Sequence, residues 1–237
     1  MSFMSENLTY EDKRNFRYSL QDYMPETFQF ASFAGKLVLE LGCGAGIDSA
    51  EFARHGAHVV SADFTHTATI LTRNLLEEAN LPARVLQAEA TSLPFKQDTF
   101  DCVYSFGVLH HIPKIEPALA EISRVLKPGG QVMVMLYNKD SLLYAYSIVY
   151  LRGVKEELLG RFTLEEILSR YSERREGCPF TMVYTKAEAQ SLFSRYFKSC
   201  SVDVRYNAID LPRQRKVKVN LPDEYELGWH LIVKGTK

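Results

Sequence analysis

Leu37-Val38-Leu39-Glu40-Leu41-Gly42-Cys43-Gly44-Ala45-Gly46-Ile47 decides the fold. Its first five residues are a short, mostly apolar run that stops at three glycines spaced G-x-G-x-G. Such a run reads as a buried strand. The glycines allow a sharp turn and a close approach of backbone to a ligand, where a side chain would collide. A helix is expected at once, from Ile47 to His55, ended near Gly56. In open parallel sheets ligands bind beyond the carboxyl ends of the strands, and the N–H groups of a helix start favour an anionic group. A dinucleotide fingerprint, G-x-G-x-x-G, would need a third glycine where this chain has Ile47.

The same rhythm continues outward. Ala57 to Ala62 reads as a second strand, Thr67 to Asn80 as a second helix, Ala83 to Ala88 as a third strand and Phe100 to Ser105 as a fourth. From Pro113 to Lys127, Ile115, Leu119, Ile122 and Leu126 share one helical face. Pro113 suits the first turn of that helix and Lys127-Pro128-Gly129-Gly130 stops it. Gln131 to Tyr137 is a fifth strand. Strands alternating with helices of this length mean βαβ units and a parallel sheet covered on both faces.

After Asn138 the alternation breaks. Residues 139–184 hold two helix-like stretches, Leu142 to Leu151 and Thr163 to Tyr171, and no clear strand. Thr185-Lys186-Ala187-Glu188 is a capping-box pattern for a last helix to about Tyr196, and Cys200 to Tyr206 and Gly228 to Lys234 read as closing strands. The expected architecture is therefore α/β: a Rossmann-like, seven-stranded, mostly parallel sheet with a helical insertion after the fifth strand. Four segments follow: a helical lead-in or cap at 1–34, a ligand-binding core at 35–138, the insertion as a substrate lid at 139–184, and a closing helix and strands at 185–237. Extra packing without a substrate role is the alternative for the insertion.

Bulk properties narrow the function. In 237 residues, 28 Lys and Arg face 29 Asp and Glu, a formal net charge of −1. No global positive field exists to gather nucleic acid or an anionic membrane. No stretch reaches the apolar length of a membrane span, and Met1 to Arg17 is polar and carries acids, unlike a signal or transit peptide. Cys43, Cys102, Cys178 and Cys200 are scattered, with no C-x-x-C pair and no histidine at metal spacing, so neither a metal site nor a disulfide framework is expected. The cytoplasm is the expected address.

Leu39 to Gly46, Asp63 at the end of the second strand, Leu93-Pro94-Phe95, Phe100-Asp101-Cys102-Val103 and Leu126-Lys127-Pro128-Gly129-Gly130 come in one order. Together they resemble the class I S-adenosylmethionine-dependent methyltransferases, in particular the small-molecule branch that includes the ubiquinone/menaquinone type. The resemblance is specific over residues 35–138. It implies S-adenosylmethionine as cofactor, S-adenosylhomocysteine as product, and direct displacement onto oxygen, nitrogen or carbon of a small acceptor.

The resemblance also assigns residues. Gly42, Gly44 and Gly46 would line the methionine and ribose side of the cofactor, and Glu40 would hold the loop or the cofactor's amino group, or else cap the next helix. Asp63 would accept from the ribose hydroxyls, a role that nicotinamide enzymes share. Phe64 would pack on the adenine. Glu89-Ala90 stands where the family usually has Asp-Ala at the adenine, so Glu89 or the Ala90 backbone would make that contact. Ser105 and Phe106 would form the cofactor wall. His110 and His111 follow, and histidine titrates near neutrality, so either could take a proton from the acceptor. Tyr104-Ser105, then five residues, then His111 is similar to a stretch of phosphoethanolamine methyltransferases that ends in a base-like histidine. A structural role at the start of the next helix is the alternative for both.

Tyr144, Tyr146, Tyr150, Phe162, Tyr171, Phe180, Met182 and Tyr184 enrich the insertion, and with the N-terminal tyrosines they would roof an apolar or aromatic acceptor. Arg152, Arg161, Arg170, Arg174 and Arg175 read as a solvated face or an anion site. Arg213-Gln214-Arg215-Lys216-Val217-Lys218 reads as a solvated edge, too short and too poor in aromatics to bind RNA. Three other readings compete: an RNA- or protein-modifying methyltransferase, a non-catalytic S-adenosylmethionine-binding protein, and a nicotinamide oxidoreductase.

Overall fold

The computed structural model describes residues 8–172, 180–206 and 226–237. Seven strands form one sheet: β1 (Leu37–Leu41), β2 (His58–Asp63), β3 (Val85–Gln87), β4 (Phe100–Phe106), β5 (Leu126–Tyr137), β6 (Lys198–Arg205) and β7 (His230–Thr236). Their order is β3-β2-β1-β4-β5-β7-β6. β7 runs antiparallel to both its neighbours, and the other pairings are parallel. This is the mostly parallel, seven-stranded, Rossmann-like sheet that the alternation predicts. The order reverses between β1 and β4, which makes their carboxyl ends the natural place for a ligand.

Seven α-helices accompany the described sheet: α1 (Tyr10–Leu20), α2 (Met24–Phe28), α3 (Ile47–Arg54), α4 (His66–Glu78), α5 (Glu116–Val125), α6 (Leu164–Tyr171) and α7 (Lys186–Phe193). β4 shows how they cover both faces. Val103 packs with Ala118, Leu119 and Ile122 of α5 and with Phe193 of α7. Cys102 and Tyr104 point the other way, into Phe28, Phe30, Phe33 and Phe52. Alternation of period two along a strand with both faces buried gives this result.

Boundaries differ from the sequence reading in places with clear causes. The helix expected from Pro113 starts at Glu116, because Leu109–His111 forms a separate 3-10 turn; Pro117, not Pro113, takes the first turn. β5 begins at Leu126 rather than Gln131, since Leu126 pairs with Phe100 before a bulge and pairing resumes at Cys102 and Gln131. The stretch expected as an α-helix over 142–151 is a π-helix, Tyr144–Lys155. It builds a small core of its own, in which Tyr144, Ile148, Ile167 and Leu168 close on Trp229. Among the described residues no helix is long and apolar enough to cross a membrane, and no cluster of three potential metal ligands occurs. Arg174, Arg175, Cys178 and the basic stretch 213–218 lie outside the described residues.

Candidate functional site

The glycine turn after β1 is pinned from two sides. Gly42 and Cys43 donate their N–H groups to the Ala62 carbonyl of β2, at 2.7 and 3.1 Å. Thr72 of α4 donates its hydroxyl to the Gly44 carbonyl at 3.1 Å. The three glycines then prove to be glycines for different reasons. A Cβ on Gly42 would sit 2.0 Å from Cγ2 of Val108, and one on Gly46 would sit 2.9 Å from Cα of Thr72. A Cβ on Gly44 would meet nothing within 4 Å, although its φ of +54° is left-handed. Gly42 and Gly46 admit the protein's own neighbours; at Gly44 the place of a Cβ is open space.

That room is one end of a cleft of about 890 Å³. Gly42, Gly44, Asp63, Phe64, Glu89 and Ala90 line it at the β1–β2–β3 side, and Phe106 and His111 line it at the β4 side. Asp63 stands at the tip of β2 with its carboxylate held: Oδ2 accepts from Gly44 N at 3.1 Å, and Oδ1 accepts from the N–H and the hydroxyl of Thr65, each at 2.8 Å. Phe64 beside it is 68% exposed, a large apolar side chain left in solvent at the cleft. Glu89 is exposed, and its Oε1 accepts from the Thr91 hydroxyl at 2.7 Å.

Four residues assigned to the site from sequence do not line the cleft: Glu40, Gly46, Ser105 and His110. Ser105 is buried, and its hydroxyl donates to the Leu41 carbonyl at 3.0 Å, which ties β4 to β1. Glu40 lies beneath the loop, where it accepts from the Ser49 hydroxyl, and Ser49 also meets Ser61 at 2.6 Å. Burial first, then the nearby charge of Asp48, pushes the Glu40 carboxyl well above its usual range. Burial and Glu40 likewise push the Cys43 thiol up to about 12, so it is an inert apolar filler.

The two histidines separate. His110 is fully buried, its ring tilted against that of Tyr137 with centroids 3.8 Å apart. Burial, then the neighbouring His111 and His230, holds it well below the usual imidazole range, and it stays neutral. His230 is pushed down to about 3, by burial first and then by Arg17, with Nδ1 bonded to the Tyr23 hydroxyl at 2.6 Å. His111 reaches the cleft, and its Nδ1 lies 2.9 Å from the Phe180 carbonyl oxygen.

The described aromatic residues of the insertion have other neighbours. No described residue of 139–184 lines the cleft, nor does any described residue of α1 or α2. Tyr144 is taken up by the core on Trp229, Tyr171 lies under Arg152 and Phe162 under Arg170, and Tyr146 and Tyr150 point to solvent.

Behind the loop is a set of residues that no local pattern marks. Asp48 and Glu51 are buried in α3. Arg17 reaches from α1 to Asp48 at 2.7 Å, and Tyr18 and Tyr104 donate their hydroxyls to the same carboxylate at 3.1 and 2.9 Å. Arg14 grips Glu51 with two bonds, of 2.6 and 2.9 Å. The Arg17 guanidinium also lies 4.4 Å over the Phe106 ring, which lines the cleft. The only sequence cue was acid in the first turn of α3; its partners are 31 and 56 residues away.

Residues 39–134 match the family model described as a methyltransferase domain. The chain is 41% identical over 109 residues to a demethylmenaquinone methyltransferase of Clavibacter sepedonicus, covering 46% of this chain and 44% of that protein. It is 32% identical over 119 residues to a ubiquinone biosynthesis O-methyltransferase of Stutzerimonas stutzeri, covering 50% and 51%. The chain thus spans about half the length of the curated relatives it matches. Among solved structures, an S-adenosylmethionine-dependent methyltransferase from Mesorhizobium loti superposes with a TM-score of 0.63 at 19% identity, over 91% of this chain and 97% of that one. The resemblance read from the motifs is therefore upheld, and the shared fold extends well beyond the matched segment.

Proposed function

We propose that this chain binds S-adenosylmethionine in the cleft and transfers its methyl group to an apolar or aromatic small molecule. The single observation that supports it most is the pairing of Gly44, whose missing side chain opens onto the cleft, with the held carboxylate of Asp63. When bound, the cofactor supplies an electrophilic methyl group on a charged sulfur.

The chain's own residues have the remaining work. Asp63 is held by three donors, so its carboxylate is already oriented at the cleft. An ionised carboxylate has about four acceptor positions. To hold both hydroxyls of a diol, it needs the Thr65 hydroxyl, the movable donor of the three, to turn away. Phe64 offers a face for a purine, and Glu89 and the Ala90 backbone stand where the purine edge would lie. At the other end, Phe106, Val108 and Ile112 exclude water from an acceptor, and His111 takes its proton. Alignment of this sort supplies roughly 7–11 kcal/mol of a displacement barrier. A cytoplasmic setting suits the described cysteines, which are free thiols with two of them buried.

Calorimetry with S-adenosylhomocysteine and, separately, with NADH tests the cofactor. The expected result is binding of the first alone, weakened about 10- to 100-fold in Asp63→Ala, the loss of one or two charge-assisted hydrogen bonds. NADH binding, or unchanged affinity in the variant, overturns the assignment. Transfer of labelled methyl from the cofactor to phenols and quinols, set against RNA and protein acceptors, tests the acceptor class.

A further inference from the structure

The insertion reaches the chemistry from behind the cleft wall. Residues 180–182 lie along the Leu109–His111 turn, where Met182 N donates to the His110 carbonyl at 2.9 Å. This brings the Phe180 carbonyl oxygen to 2.9 Å and the Thr181 hydroxyl to 3.2 Å from Nδ1 of His111. Thr181 is fully buried. Its N–H donates to the Ser169 hydroxyl of α6 at 3.0 Å, and its Oγ1 lies 3.1 Å from the hydroxyl of Ser172, which caps that helix.

The chemistry of these groups fixes a protonation state. A carbonyl oxygen only accepts, so at 2.9 Å the proton of a neutral His111 ring must sit on Nδ1. Nε2 is then the basic nitrogen. Thr181 could have worked against this by donating to Nδ1. With the Ser172 oxygen as a second place for its hydroxyl proton, its lone pairs can turn to the ring instead. Both acceptors then favour one tautomer and one ring orientation.

Resting on the reading of His111 as the proton acceptor, we propose that Thr181, together with the Phe180 carbonyl, is a positioning element. It sets the tautomer of His111, and the helical insertion acts on the reaction through this contact. Thr181 touches neither cofactor nor acceptor; it acts through the ring. Phe180, Thr181 and Ser172 lie in the insertion, outside the segment 39–134 that the methyltransferase-domain model covers and that holds His111.

Thr181→Val keeps the shape and removes the hydroxyl, Thr181→Ser restores it, and Ser172→Ala removes the second place for its proton without touching Thr181. Nitrogen NMR of the imidazole rings in the full chain, bound to S-adenosylhomocysteine, reads the tautomer without any acceptor. The expected wild-type state is Nδ1–H. In Thr181→Val the ratio of the two tautomers should fall about fivefold, the equivalent of one neutral hydrogen bond, with calorimetric affinity for S-adenosylhomocysteine unchanged and the serine variant close to wild type. Ser172→Ala should move the ratio the same way. A wild-type ring protonated on Nε2, or spectra that none of these substitutions alters, overturns the proposal. Turnover separates it from the reading beneath it. If His111→Ala methylates at the wild-type rate, His111 is not the proton acceptor, whereas the NMR result concerns Thr181 alone.

Discussion

The two sides of the glycine turn are built from opposite materials. The front, which lines the cleft, is bare backbone: Gly44 with nothing within 4 Å of where a Cβ would be, and one carboxylate beside it. The back is dense with charge. Arg14, Arg17, Asp48 and Glu51 are joined there by short ion pairs between α1 and α3, and Glu40 of β1 lies buried near Asp48, bonded to Ser49. A turn whose only side chains are those of Cys43 and Ala45 gains little from packing on the front. The difference teaches that the bonds to Ala62, Asp63 and Thr72 that pin the turn are backed from behind, through α3, by groups that never meet the ligand.

Substitutions on the two sides should therefore fail differently. Arg17→Met leaves the Asp48 carboxylate buried with two tyrosine hydroxyls and no cation. Removing one partner of such a pair costs roughly 3–5 kcal/mol, visible in urea unfolding of the cofactor-free protein, and adding Asp48→Asn should restore part of it. No loss in the single variant would mean that α1 does not brace α3. Next in size is the contrast between two glycines two residues apart. Gly42→Ala drives a methyl group into Val108, and overpacking of that kind plus a left-handed alanine costs about 2–5 kcal/mol of stability. Gly44→Ala has no clash and should lose only about 1–2 kcal/mol of stability, while its methyl group narrows the cleft and weakens S-adenosylhomocysteine. Should Gly44→Ala bind as wild type does, the front of the turn is not the ligand's seat.

The front was the more legible side because its information is local. A strand of buried length, glycines in close succession and an acid at the next strand's tip are contiguous patterns, and βαβ alternation leaves few ways to arrange them. Yet the pattern did not distinguish Gly42 and Gly46, where a Cβ would meet Val108 and Thr72, from Gly44, where it would meet open space. The back is assembled from pairs far apart in the chain, such as Arg14 with Glu51 and Tyr104 with Asp48. A single buried carboxylate carries no mark in sequence until its partner is known. The aromatic residues of the insertion are hard to read for a related reason. Tyrosines and phenylalanines at helical spacing suit a pocket and a packed core equally well, and here the core on Trp229 and the cations Arg152 and Arg170 take several of them. Of the adjacent histidines, the 3-10 turn Leu109–His111 sends one to the cleft and buries the other against Tyr137, a divergence fixed by tertiary packing.

The smallest expected effect probes the boundary between the two sides. Glu40 faces Asp48 and Ser49 of α3, Arg17 of α1 and Asp63 of β2. Burial, then Asp48, lifts its carboxyl above the usual value, against the pull of Ser49 and Arg17. A folded-state pKa above the unfolded value of about 4.3 means that the folded protein binds the extra proton. The stabilisation is complete below the unfolded value and is lost as pH rises through the folded one. Glu40→Gln keeps an acceptor for Ser49 and removes the titration. The variant and the wild type should therefore be closest in stability near pH 4, and the variant should gain on the wild type as pH rises to about 8, by about 1.4 kcal/mol per unit of upward shift. Urea unfolding of the cofactor-free proteins across that range reads the difference. A constant offset at every pH would show that Glu40 ionises as freely as an exposed acid, and that the back of the turn is wetter than its packing implies.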